Sequence, residues 1–321
     1  MPELPEVTVI VNQLDKKLKG LVLGSIEHDW PKGFSWNGFS IDDLRGARVL
    51  GVRRLGKVVL IEVTRMLGNS VTGKKNRSSD LVAQKPSNLS ILIHLKLTGQ
   101  LIYQDAKTRI AGGHPIPPLN LPVPNKTTRV TFAFAGGGPT SPRLRGTSHL
   151  YFNDMRKFGW VKVVASDEKS IKEAIGKTEL GPDPMTITYE QFLERIKKKP
   201  QARVKKLLMD QTFVSGVGNI YSDEALWRAK IHPKRSVASL TDSEIRAIYD
   251  GTRDSFKLAI SKGGSSANSY VDGRGEKGLY LTFARAYHMT GKPCARCKTP
   301  IVRDKMDGRS AHFCPKCQRL R

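Results

Sequence analysis

The chain opens Met1-Pro2-Glu3-Leu4-Pro5-Glu6, which places a potential nucleophile and two carboxylates within one helical turn. If Met1 is removed, Pro2 becomes the terminus and carries a secondary amine. An α-amine titrates near about 7.7–8, against roughly 10.4 for lysine, so more of it is neutral and nucleophilic at physiological pH. Glu3 and Glu6 supply acid/base groups beside it. An amine flanked by carboxylates is equipped for Schiff-base chemistry on a carbonyl or sugar carbon. The same residues also suit an ordinary helix entry, with acids placed to complement the helix dipole, and the rest of the chain must decide.

A second chemical cluster lies at the other end. Cys294-Ala-Arg-Cys297 and Cys314-Pro-Lys-Cys317 form a C-x₂-C…C-x₂-C pattern, and the chain has no cysteine outside it. This is the spacing of a four-thiolate zinc ribbon, and four protein thiolates close a tetrahedral shell, so the ion is structural. With no cysteine left for a disulfide framework, a reducing compartment is expected. His312 is close enough to compete as a ligand, but an unpaired histidine reads as a packed or solvated side chain. Arg309, in Asp307-Gly308-Arg309-Ser310, falls at an expected hairpin tip, where its guanidinium can grip a phosphate bidentately. A third cluster is Thr212-Phe-Val-Ser-Gly216-Val-Gly218-Asn219. Two glycines so close break a helix, let backbone amides approach an anion, and precede a helix whose positive end suits phosphate. A tight connection between packed helices explains the glycines equally well.

These groups need elements to hold them. Val7, Ile10, Val11, Leu14 and Leu18 recur at helical spacing, with Pro5 in the first turn and Gly20 at the end. Segments 49–54, 58–64, 89–97, 101–103, 128–134, 149–153 and 160–164 read as short β-rich strands with no helices between them, which points to an antiparallel sandwich or barrel. Two polar or Gly/Pro-rich stretches, 66–87 and 105–126, read as long surface loops. Gly181-Pro-Asp-Pro184 marks a boundary. Beyond it the text turns helical, over 189–198, 202–209, 223–230 and 242–261, two of these opened by the capping boxes Thr188–Gln191 and Thr241–Glu244. The organisation expected is α+β: an N-terminal β-sandwich (1–164), a linker (165–185), a helical domain (186–264), and a C-terminal segment with the zinc ribbon (265–321).

The 321 residues carry 54 basic against 29 acidic side chains, a net charge of +25. That surplus predicts a polyanionic partner, nucleic acid first, bound in a salt-sensitive way. Anionic membrane is the competing partner. No apolar run reaches the roughly 20 residues of a spanning helix and no signal-peptide core opens the chain, so a cytoplasmic location is expected, nucleoid-associated in a prokaryote.

Together these motifs resemble the formamidopyrimidine-DNA glycosylase and endonuclease VIII family of DNA repair enzymes. The likeness rests on Met1-Pro-Glu-Leu-Pro-Glu-Val7, Leu55-Gly-Lys57, His94-Leu-Lys-Leu-Thr-Gly99, Asn153-Asp-Met-Arg-Lys-Phe-Gly159, Gly216-Val-Gly-Asn-Ile-Tyr221 and His312-Phe-Cys-Pro-Lys-Cys317. Leu4, where the endonuclease VIII branch usually has glycine, favours the formamidopyrimidine branch. The resemblance implies a β-sandwich, a helix-two-turns-helix domain and a zinc ribbon, acting as a monomer on duplex DNA that contains oxidised bases or abasic sites. It implies that Pro2 attacks C1′, that Glu3 is acid/base on the sugar, and that Glu6 and Lys57 support the site. His94, Asn219, Tyr287 and Arg309, with Lys57, match phosphate-holding positions, and Arg303 stands at a phosphate-contacting lysine position. Arg156 and Phe158 match side chains that fill the gap left by a flipped base, and Leu97 stands where the family usually places a methionine wedge. Met289 replaces an arginine often found there. The stretch 269–276 resembles the loop that closes over an extruded base, which favours oxidised purines over pyrimidines. The insertions 66–87 and 105–126 have no counterpart in the resemblance. A non-catalytic DNA binder on the same scaffold, and a pyrimidine-preferring enzyme, are the alternatives.

Overall fold

The computed structural model describes residues 2–64, 88–114, 121–135, 147–176, 180–265 and 277–320. The insertion 66–87 and the base-capping stretch 269–276 lie outside the described residues.

Helix α1 (Leu4–Leu18) forms where the periodicity places it, burying Val7, Ile10, Val11, Leu14 and Leu18. It ends where the Lys19 amide closes on the Asp15 carbonyl and Gly20 takes φ +85°, a conformation glycine adopts without steric cost. The helix lies against a sandwich of two five-stranded sheets. The first runs β1 (Val22–His28), β8 (Thr128–Ala135), β9 (Ser148–Asp154), β6 (Gly99–Gln104) and β7 (Arg109–Gly113). The second runs β2 (Phe34–Ser35), β10 (Trp160–Ala165), β5 (Asn88–His94), β4 (Val58–Thr64) and β3 (Val49–Leu55). All pairs are antiparallel except the short β2–β10 pair. Alternation sorts the two faces of β4. Val59, Ile61 and Val63 enter the inter-sheet core with Leu150 and Phe152, while Val58 and Leu60 turn outward to Ile171. Because both faces are covered, β4 and β5 read as almost unbroken apolar runs.

Several readings need correction. Strands β1 and β2 lie in a region where no strand was expected. A bulge between Leu23 and Ser25 shifts the register of β1 and breaks the period-two pattern that would reveal it. Part of the 105–126 stretch is strand β7, whose Arg-Ile-Ala-Gly-Gly sequence has weak β propensity and which is held by its ladder to β6. The span read as a linker contains helix α2 (Glu168–Ile175), capped by Asp167 and packed through Ile171 onto the outer face of the second sheet. Strand β5 stops at His94, so Leu97 stands in the turn that follows.

The second lobe is built on α3 (Tyr189–Lys197), α4 (Val204–Met209), α5 (Asn219–Ala229) and α6 (Asp242–Ser261). Both expected capping boxes are present, with Thr188 and Gln191 reciprocating at 3.3 and 3.1 Å and Thr241 and Glu244 at 3.2 and 2.9 Å. Helix α5 begins at Asn219, four residues before the expected start at 223. A short helix α7 (Tyr280–Phe283) leads to the hairpin β11 (Val302–Met306) and β12 (Arg309–Phe313), with Arg309 beside its tip. Leu4 of α1 belongs to the core of this lobe, with Val214, Val217 and Tyr221. The start of the chain is therefore stitched between the lobes.

Candidate active site

The junction is made by the glycine turn. The Leu4 amide donates to the Gly216 carbonyl at 3.0 Å, and a side chain at Gly216 would collide with the Leu4 Cβ at 2.5 Å. A side chain at Gly218 would meet the Glu3 carboxylate at 2.5 Å. The glycines thus permit a close approach, and what approaches is the N-terminal segment. The amides of Gly218 and Ile220, at the start of α5, donate to the Glu3 carboxylate at 2.7 and 2.9 Å. The anion at this helix terminus is Glu3, at an end that on sequence grounds suited either a phosphate or a tight connection between packed helices.

Pro2, Glu3, Glu6, Lys57, Asn219 and Arg309 come together around one cavity of about 390 Å³ at the lobe junction, and Leu97 and Tyr287 also reach it. Glu6 accepts from the Glu3 amide at 2.9 Å, the Tyr221 hydroxyl at 2.6 Å and the Ser265 amide at 2.8 Å, which ties α1 to the second lobe. Lys57 stands in the β3–β4 turn, where Gly56 adopts φ +55° against Ser215, and its Nζ donates to the Val217 carbonyl at 2.9 Å. Burial dominates both ionisable partners. It pushes the Glu3 carboxyl up to about 7, only partly opposed by the Lys57 charge. It pulls the Lys57 ammonium down, opposed by Glu3 and Glu6 and reinforced by Arg309.

The other residues singled out from sequence fall into two groups. Asn219, Tyr287 and Arg303 share a second opening beside the first, and Arg303 bonds Ser310 across the hairpin at 2.8 and 3.1 Å. Leu97, Met155 and Phe158 are exposed apolar side chains on the β5–β6 and β9–β10 turns, and the Arg156 guanidinium lies 4.6 Å over the Phe158 ring. Met155 was not anticipated. His94 stands apart from the cavity. Its ring packs 5.6 Å from Trp160, its Nδ1 accepts the Lys96 amide at 3.0 Å, and burial drives it down to about 3, so it is neutral at physiological pH.

Two acids on α5 escaped the sequence reading. The buried Glu224 carboxylate accepts the amides of Arg285, Ala286 and Tyr287 at 2.8–3.0 Å, fixing the backbone that presents Tyr287. Asp223 accepts both the amide and Nδ1 of His312 at 2.9 Å and the Lys205 ammonium at 2.5 Å, while Lys205 also reaches the Ser310 carbonyl at 2.6 Å. His312 is not in the one group of described side chains close enough together to share a metal ion. The adjacent acids Asp223-Glu224, in a strongly basic chain, were the one signal available. The four cysteine sulfurs lie within 4.8 Å of one another, a fit for one tetrahedral zinc ion held by Cys294, Cys297, Cys314 and Cys317.

A β-sandwich joined to a helical lobe, with a buried acid-flanked start of chain at the junction and a zinc-bound basic hairpin beside it, defines a DNA glycosylase of the helix-two-turns-helix class. Residues 1–161 match the formamidopyrimidine-DNA glycosylase N-terminal domain, 180–271 its H2TH domain, and 291–320 the zinc finger found in FPG and IleRS. The chain is 33% identical over its whole length to the formamidopyrimidine-DNA glycosylase of Pelotomaculum thermopropionicum, covering all of that protein. It is 34% identical, over 99% of its length and all of the relative, to that of Solibacter usitatus. Among solved structures it resembles a Lactococcus lactis FPG mutant bound to Fapy-dG-containing DNA (29% identity, TM-score 0.75) and Lactococcus lactis Fpg with abasic-site DNA (29% identity, TM-score 0.74). Each match covers 99% of this chain and all of the other. The chain belongs to the formamidopyrimidine-DNA glycosylase family of DNA repair enzymes, DNA-binding glycosylases with AP lyase activity.

Proposed function

We propose that the chain excises oxidised purines, 8-oxoguanine and formamidopyrimidines, from duplex DNA through a Schiff base on Pro2, and then nicks the strand by β,δ-elimination. One observation carries this reading: the buried Glu3 carboxyl, raised to about 7, lines the same cavity as Pro2. At physiological pH such a group can both donate and accept a proton. With Met1 removed, the neutral Pro2 nitrogen attacks C1′ and the glycosidic electron pair leaves with the base. The attacking nitrogen gives up its N–H proton to a neighbouring base, Glu3 protonates O4′, the ring opens, and an iminium forms at C1′. The iminium acidifies the C2′ proton, so its removal expels the 3′ phosphate, and a second elimination expels the 5′ phosphate.

A base stacked in a duplex is out of reach, so the lesion must be flipped out at a cost of a few kcal/mol. Leu97, Arg156 and Phe158 fill the space it leaves, offsetting lost stacking. Lys57, His94, Asn219, Tyr287, Arg303 and Arg309 hold the surrounding phosphates, His94 as a neutral donor. Glu6 anchors α1, and zinc fixes the hairpin that presents Arg309. The purine preference rests on Leu4 and on the likeness of 269–276 to a base-capping loop. The chain acts as a monomer in the cytoplasm.

The test is borohydride trapping on an 8-oxoguanine·C duplex, read by intact mass. A covalent adduct on a chain lacking Met1 is expected, absent in Pro2→Gly, with faster turnover of 8-oxoguanine than of thymine glycol. An undiminished adduct in Pro2→Gly would overturn the mechanism.

A further inference from the structure

The strand β7 that the sequence hid delivers a histidine to the cavity. The β6–β7 hairpin runs alongside α1 in the opposite sense. At its tip, Asp105 accepts the amides of Lys107 and Thr108 at 2.8 and 2.6 Å, and Thr108 accepts from Lys17 near the end of α1 at 3.1 Å. Further along, Gly112 passes Ile10 so closely that an added Cβ would sit 2.7 Å from its Cγ1. Gly113 takes φ +119° with its Cβ position 2.5 Å from the Gly99 carbonyl, and the His114 amide then bonds that carbonyl at 3.1 Å. A strand advances about 3.3 Å per residue and a helix about 1.5 Å. Running opposite to α1, β7 therefore advances toward the start of that helix, which Pro2 and Glu3 precede. His114 is buried and lines the same cavity as Pro2, Glu3 and Glu6.

We propose that His114 is a catalytic residue that orients Pro2 and takes its proton. This rests on the Schiff-base reading above. A secondary amine has one N–H and one lone pair. Directing the N–H at an imidazole nitrogen leaves the lone pair facing C1′. When the N–C1′ bond forms and the glycosidic bond breaks toward the base, the nitrogen becomes an ammonium with one proton. That proton passes to His114, and the freed lone pair drives the ring opening that Glu3 assists. The acceptor must be neutral beforehand. Burial holds His114 down to about 4.

The experiment compares His114→Ala and His114→Gln with wild type on an 8-oxoguanine·C duplex at saturating enzyme. The single-turnover trapping rate is measured beside the affinity for a duplex with an unreactive tetrahydrofuran site. The trapping rate is expected to fall about 10²-fold in both variants while affinity is kept, and added imidazole should restore part of it in His114→Ala. Retained affinity reports that the variants fold. Wild-type trapping rates in both variants, or an affinity loss matching the rate loss, would overturn the role of His114 alone. No trapping by wild type would instead bring down the Schiff-base reading, and this proposal with it.

Discussion

At the scale of single residues, the site is governed by burial working against charge. Glu3 is 4% exposed and faces Lys57, Glu6 and two helix-terminal amides, and desolvation still outweighs the favourable contacts. Its carboxyl holds a proton up to about 7, so glycosidic cleavage should decline as pH rises through that value, while protonation of the Pro2 amine limits the acid side. The same shift makes a stability prediction. Between 4.5, the ordinary value, and about 7 the folded chain keeps a proton that the unfolded chain releases, so stability falls as pH rises across that window. Glu3→Gln should lower the base-excision rate by about 10²–10⁴-fold and abolish the alkaline limb of any residual activity. Thermal unfolding of the variant should lose the wild type's decline between those pH values. An alkaline limb that persists near 7 in Glu3→Gln would assign it to another group.

Elements place these residues by two kinds of information, and only one is local. Helix α1, the capping boxes of α3 and α6, and the cysteine pairs could be read directly because each is decided within a few residues. Strand β7 could not, since glycines remove its pattern and its fit to β6 and α1 exists only after folding. Glu224 and Asp223 were equally hidden, because the amides they bind come from Tyr287 and His312, 63 and 89 residues further on. Asp154 belongs to the same kind. It is fully buried at the end of β9, and one oxygen accepts the Thr98 hydroxyl and the Arg156 amide (3.2 Å), while the other accepts the Gly159 amide at 2.7 Å. One carboxylate therefore pins both turns that carry Leu97, Arg156 and Phe158. Leaving such buried donors unmet costs roughly 1–3 kcal/mol each. Asp154→Ala should lower the melting temperature and weaken binding to a tetrahydrofuran duplex, with binding to undamaged DNA changed little. Equal weakening on both duplexes would mean that the turns contribute general affinity and do not recognise the gap.

At the scale of the whole molecule, a net charge of +25 sets how strongly DNA is held, and the fold decides which cations share in it. Affinity should fall with salt along a slope of about −0.9 per phosphate neutralised. Arg309 contributes only while its hairpin is held in place, and two devices hold it. One is the buried network of Lys205, Asp223 and His312, which ties β12 to α4 and α5. The other is the metal, because the strands lie between the two cysteine pairs and that end has a small apolar cluster, with Trp227, Ala286 and Ile301 around the sulfurs. So little buried surface cannot order the segment without the ion. Chelation, or Cys294→Ser, should therefore weaken binding to lesion DNA and make the salt slope shallower by about one phosphate, with the β-sandwich still folded by circular dichroism. Arg309→Ala in the zinc-loaded protein should give the same change in slope, and adding chelator to that variant should change the slope little further. If chelated protein keeps both its affinity and its slope, the polar network alone positions Arg309, and the ion serves some other part of the molecule.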